Sequence, residues 1–94
     1  MVAEMDLSVG AIIDSLKAQG ELDNTYIIFT SDNGGGASQK RKVDGENRRF
    51  NGPLQEGKRS IFEGGIRVPT VIAGPGIQAG SQCDVPMVQW DLLP

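Results

Sequence analysis

Residues 25–30, Thr25-Tyr26-Ile27-Ile28-Phe29-Thr30, are all β-branched or aromatic, with no alternation of polar and apolar positions. A strand with one face in water alternates, whereas a strand covered on both faces does not. The run therefore predicts an interior strand of a layered α/β fold. What precedes it agrees. Met5, Val9, Ile12, Ile13 and Leu16 recur at helical spacing, with Asp14, Lys17 and Gln19 on the other face. This predicts an amphipathic helix over about residues 4–18, with Gly20 as its C-terminal stop. Leu22-Asp23-Asn24 reads as a turn. Helix, short turn and buried strand make half of a βαβ unit, which argues for a parallel sheet.

The strand ends abruptly on Ser31-Asp32-Asn33, followed by Gly34-Gly35-Gly36. In open α/β sheets the ligand crevice lies at the carboxyl ends of the strands. A carboxylate and a carboxamide there offer the hard oxygen ligands that Ca²⁺ or Mg²⁺ prefers, and glycines let a ligand approach the backbone. The same residue types also form turns by bonding their own backbone, so Asp32-Asn33 reads either as a metal corner or as an Asx-type turn.

Residues 31–60 have no apolar period and many glycines and charges. That is long for an idle connection, so the stretch is either functional or disordered. Order returns at Ile66–Ala73, a second strand whose core is Thr70–Ala73, because Pro69 cannot donate to a ladder. Gly74-Pro75-Gly76 ends it, and residues 78–81 form a further turn. Val85–Val88 is a candidate short strand, and Trp90-Asp91-Leu92-Leu93-Pro94 reads as the start of a helix. One helix and two or three strands cannot cover both faces of a parallel sheet, so the sequence predicts a piece of a larger α/β protein.

Charge sharpens the picture. Net charge is −3, but residues 40–67 hold eight of the nine basic residues and carry +4, against −7 for the remainder. A basic middle suits an anionic ligand or a solvated loop. Nucleic acid is disfavoured, since only Phe50 and Phe62 are near enough to stack on bases. The chain has no histidine, which excludes a His-based zinc site and Ser-His-Asp or Cys-His catalysis within it. The lone Cys83 cannot form an internal disulfide and reads as a small buried or half-buried side chain. No window is apolar enough to span a membrane, and residues 1–20 lack the basic and apolar blocks of a targeting segment.

The segment from Asn51 to Pro69 first suggests a phosphate loop. Gly52 and Gly57-Lys58 fit G-x-x-x-x-G-K, but Arg59 stands where Ser or Thr should bind Mg²⁺, and no predicted strand precedes it. What remains is Lys58 among arginines in a glycine-bracketed loop. A cation on a flexible stem suits a tetrahedral oxyanion, while a surface lysine is the plain alternative. Glu63 and Arg67, four apart, read as a structural ion pair. Gly64-Gly65 meets either a positive-φ or a close-packing need.

Taken together, "DNTYIIFTSDNGG", "GPLQEGKRSIFEGGIRVPTVIAGPG" and the closing "WDLLP" resemble the sulfatase family of the alkaline phosphatase superfamily. Order and spacing match across nearly the whole chain, and the joint pattern S-D-N-G, G-K-x-x-x-x-E-G-G-x-R-x-P and D-L-L-P carries the likeness. The resemblance implies part of an alkaline-phosphatase-like three-layer αβα sandwich, with residues 1–94 a central-to-C-terminal fragment of one catalytic domain. It implies that Asp32 and Asn33 bind Ca²⁺ (or Mg²⁺) and that Lys58 contacts the sulfate of a sulfated small molecule or glycan. It further implies a parent that hydrolyses sulfate esters with a formylglycine made from Cys or Ser in a C/S-x-P-x-R motif. Family membership would place that parent in the periplasm, outside the cell or in the lysosome.

The departures from the family pattern matter as much. Cys83-Asp84-Val85-Pro86 has its proline one place late and no arginine, so Cys83 is not the formylglycine precursor. The N-terminal Asp pair of the metal site and the family's active-site histidines are absent. The 94 residues alone are therefore expected to be inactive, the remainder of the domain being needed. Two other readings stand beside this one. One is a phosphate or phosphonate ester hydrolase of the same superfamily. The other is a non-catalytic segment that docks an anion on its basic loop.

Overall fold

The computed structural model describes residues 1–36, 40–43, 46–49 and 51–93; Phe50 and Pro94, which entered the sequence reading, lie outside them. The described chain is a small α/β arrangement in two compact units, Met1–Thr25 with Ala73–Pro94, and Tyr26–Ile72.

In the first unit, helix α1 (Val2–Ala18) starts two residues earlier than its apolar spacing predicts. Glu4 in its first turn and Lys17 in its last complement the helix dipole. Its end follows a Schellman pattern. Gly20 takes φ +72°, its N–H donates to the Lys17 carbonyl, and the Glu21 N–H donates to the Leu16 carbonyl. A 3₁₀ turn over Leu22–Asn24 follows, and the Thr25 hydroxyl donates to the Glu21 carbonyl at 2.7 Å. In the same unit Gly74, Gly76 and Gly80 have positive φ. The Ile77 N–H donates to the Gly74 carbonyl, and the Ser81 N–H and hydroxyl both donate to the Gln78 carbonyl, giving the two predicted turns.

Residues 85–88 form no strand; Pro86 has no N–H to offer a ladder. Cys83, expected to be at least half-buried, is exposed in this irregular stretch, where no paired strand gives it a packed face. The closing segment forms one 3₁₀ turn, Gln89–Leu92, in which the Asp91 carboxylate accepts from the Val88 N–H at 2.9 Å.

The second unit contains β1 (Ile27–Thr30), the strand pair β2 (Lys40–Val43) and β3 (Glu46–Arg49), the short helix α2 (Glu63–Ile66) and most of β4 (Thr70–Ala73). Strands β1 and β4 are neighbours in a two-stranded sheet, and the Thr30 and Thr70 hydroxyls lie 3.1 Å apart. β4 coincides with the predicted core of the second strand. The predicted burial of β1 on both faces is not met: Ile28 and Phe29 are 42% and 37% exposed. A two-stranded sheet leaves both faces open unless other layers pack on it.

Strands β2 and β3 pair antiparallel, with Lys40 opposite Arg49 and Val43 opposite Glu46. Sequence periodicity missed this pair, because its residues are nearly all charged. The signal available in the sequence was the dipeptide Asp44-Gly45, a residue pair that favours hairpin turns; both residues lie outside those described. Among the described residues no hydrophobic side chain is buried. The four that are buried are all glycines, Gly34, Gly57, Gly64 and Gly65.

Candidate functional site

Those glycines sit where three segments of the second unit meet: residues 31–36 after β1, residues 51–60, and α2. The Gly34 N–H donates to the Gly65 carbonyl at 2.9 Å, the Gly64 N–H to the Gln55 carbonyl at 2.7 Å, and the Lys58 N–H to the Gly35 carbonyl at 2.9 Å. Backbone is packed on backbone. A Cβ added to Gly34 would overlap the Gly64 carbonyl, and one added to Gly64 would overlap the Glu56 carbonyl. One on Gly65 would overlap the Ser60 carbonyl. Of the two reasons proposed for Gly64-Gly65, close packing is the one observed.

Around this junction the predicted site residues come into one loop cluster. Asp32 is exposed and Asn33 half-buried at the carboxyl end of β1. The Ser31 hydroxyl donates to the Asn33 carbonyl at 2.9 Å, and Asn33 Nδ2 donates to the Gly34 carbonyl at 3.0 Å. These local bonds are turn chemistry. They also engage one N–H of the Asn33 amide with the backbone. Lys58 is exposed, and its backbone bond to Gly35 sets it against the segment two residues after Asn33. The residues on either side of Gly57-Lys58 are held in left-handed conformations, Glu56 at φ +62° and Arg59 at φ +79°. Non-glycine residues rarely adopt such φ values and keep them only where the surroundings dictate it.

A cavity of about 570 Å³ opens beside the cluster. Ser31, Asn33, Asn51, Leu54, Arg67 and Pro69 are among its lining residues, while Asp32 and Lys58 are not. Arg67 makes the expected i,i+4 ion pair, with its Nη1 3.5 Å from Glu63 Oε2. Both side chains are largely exposed, so the pair contributes little, roughly 0.3–0.5 kcal/mol. Among the described residues no three His, Cys, Asp or Glu side chains gather closely enough to hold a metal.

Asn51 was not singled out by the sequence. Its Oδ1 accepts from the Gly35 N–H at 2.9 Å, and its Nδ2 donates to the Gly35 carbonyl at 3.0 Å and to the Glu56 carbonyl at 2.8 Å. The signal available was the Asn51-Gly52-Pro53 turn chemistry, in which an Asn ahead of Gly commonly bonds nearby backbone.

The family model described as Sulfatase matches residues 1–94. The chain is 42% identical over 81 residues to the N-acetylgalactosamine-6-sulfatase of Rattus norvegicus, covering 86% of this chain and 15% of that protein. It is 40% identical over 97 residues to the steryl-sulfatase of Homo sapiens, covering 99% of this chain and 16% of that protein. It is 38% identical over 90 residues to the extracellular sulfatase SULF-1 homolog of Drosophila melanogaster, covering 96% of this chain and 7% of that protein. The chain thus spans only 7–16% of the length of these relatives.

Proposed function

The chain belongs to the sulfatase family, and on that premise we propose that it is one piece of the catalytic domain of a sulfuric ester hydrolase with an alkaline-phosphatase-like sandwich fold. Asp32 and Asn33 contribute two oxygen ligands to a Ca²⁺ ion, and Lys58 offers a cation to the sulfate of the substrate. The observation that carries this reading is the hydrogen bond from the Lys58 N–H to the Gly35 carbonyl, which brings the lysine segment against the segment bearing Asp32 and Asn33.

The donor set fits a hard cation. Asp32 supplies an exposed carboxylate, and Asn33 supplies a carboxamide whose nitrogen donates to the Gly34 carbonyl, so that its oxygen is the atom suited to a cation. Ca²⁺ takes roughly six to eight oxygens, so further ligands come from beyond this chain. When bound, the ion withdraws charge from the sulfuryl oxygens. The work of this chain is to hold Asp32 and Asn33 on a braced turn and to present a lysine to the developing negative charge, an electrostatic contribution of the kind that dominates such sites. The nucleophile lies outside the chain, a formylglycine on the family pattern. The relatives' names cover an N-acetylgalactosamine-6-sulfatase and a steryl-sulfatase, so the substrate is proposed only as a sulfate ester.

The test uses the full-length protein that contains residues 1–94, assayed on a chromogenic aryl sulfate and on the matching aryl phosphate. Sulfate turnover that is lost on chelation is the expected result. Lys58→Ala should lower kcat/KM by roughly 100-fold, the scale of one lost charge-stabilising donor. Asp32→Ala should weaken Ca²⁺ binding. Turnover of the phosphate ester alone would replace this reading with phosphoryl chemistry. Salt-sensitive anion binding without turnover, indifferent to Asp32→Ala, would replace it with a docking role. The isolated 94 residues should turn over neither ester, and hydrolysis by the pure chain would overturn the assignment of the nucleophile to another part of the protein.

A further inference from the structure

We infer that Asn51 is a positioning residue that sets the separation between the Asp32-Asn33 turn and Lys58; the inference rests on the roles proposed above for those three residues. The Asn51 carboxamide has two N–H donors and one acceptor oxygen, and all three are engaged. It bonds both the N–H and the carbonyl of Gly35, as a neighbouring strand would, and reaches the Glu56 carbonyl with its second N–H. The two ends of this bridge are functionally placed. Gly35 lies two residues after Asn33, and Glu56 lies two residues before Lys58.

Two further observations connect the bridge to the lysine. The Gly35 carbonyl that accepts from Asn51 also accepts the Lys58 N–H, so a shift of Gly35 carries Lys58 with it. Glu56 is one of the two left-handed non-glycine residues beside Gly57-Lys58, and the Asn51 bond to its carbonyl helps hold that backbone. Only an amide side chain supplies the donors and acceptor in this pattern. An aspartate would keep the bond from the Gly35 N–H, lose both donations, and set a negative oxygen against two carbonyls.

The experiment is a double-mutant cycle in the full-length protein, with Asn51→Ala and Lys58→Ala made singly and together and kcat and KM measured on an aryl sulfate. Amide hydrogen exchange at Gly35 and Lys58 is read alongside. A misplaced lysine should cost on the order of 10–100-fold in kcat. Asn51→Ala should show that loss in the unmutated background and less than about 3-fold in the Lys58→Ala background, because the two act as one unit. Exchange at Gly35 and Lys58 should rise while α1 is unchanged. Asn51→Asp, nearly isosteric, should reproduce the kcat loss and stands in if Asn51→Ala does not fold. Losses that multiply independently in the two backgrounds, or exchange at Lys58 unmoved by either variant, would overturn the positioning role. If the unmutated protein does not hydrolyse the sulfate ester, the functional reading fails, and the exchange result alone decides whether Asn51 sets the two segments.

Discussion

At the scale of single residues, the second unit is organised by glycine and asparagine rather than by large apolar side chains. Among the described residues the buried ones are glycines, and their role is to let three stretches of backbone come within hydrogen-bond distance. Gly34 is the most exacting position, since a Cβ there would overlap the Gly64 carbonyl and press on the Gly65 backbone. Neither neighbour is a flexible side chain that can swing aside. Gly34→Ala should therefore destabilise the full-length protein at or above the upper end of the roughly 1–3 kcal/mol usual for overpacking. A thermal melt of the variant checks this, and an unchanged melting temperature would mean that the junction opens in solution. The sequence showed Asp32, Asn33 and Lys58 as chemically apt residues, because residue type and position after a strand are local properties. It did not show that Asn51 joins their segments, because that depends on which stretches fold against one another.

At the scale of elements, local rules carried most of the outline. The Gly20 stop, the turns around Gly74 and residues 78–81 and the start of β4 after Pro69 appear as read; the helix lies where the apolar spacing predicts it, beginning two residues earlier and with no residue of its apolar face buried. Gly20 adopts φ +72° to close the Schellman pattern. Gly20→Ala should thus cost about 1 kcal/mol, the penalty of an L-residue in the left-handed region, measurable as loss of helical circular dichroism at lower temperature. The β2–β3 pair was not foreseen, because the two runs that its register joins, with Lys40 opposite Arg49 and Val43 opposite Glu46, carry no apolar period. Val85–Val88 failed as a strand because apolar character alone does not make one. A strand also needs a partner for its backbone, and Pro86 has no N–H to give.

At the scale of the whole molecule, the described residues bury no hydrophobic side chain. Ile61 and Trp90 are 86% and 79% exposed, and Phe29 on the predicted interior strand remains partly open. Burial of apolar surface is the main term that offsets the conformational entropy of folding. The isolated chain should accordingly melt without a cooperative calorimetric peak and bind a hydrophobic dye, whereas the full-length protein should melt cooperatively. A sharp two-state transition of the 94 residues alone would contradict this. No helix among the described residues is long and apolar enough to cross a membrane. The sequence by itself determined the α/β character, the positions of α1, β1 and β4, the residues suited to a cation and an oxyanion, and membership of the sulfatase family. These follow from spacing, turn chemistry and motif order, which are written along the chain. Only the tertiary structure decided that the Asp32-Asn33 turn and Lys58 share one loop cluster, that glycine packing forms the junction, and that Asn51 spans it. Those features arise from contacts between distant segments, and the balance of sterics and hydrogen bonds that selects them exists only once the segments have met.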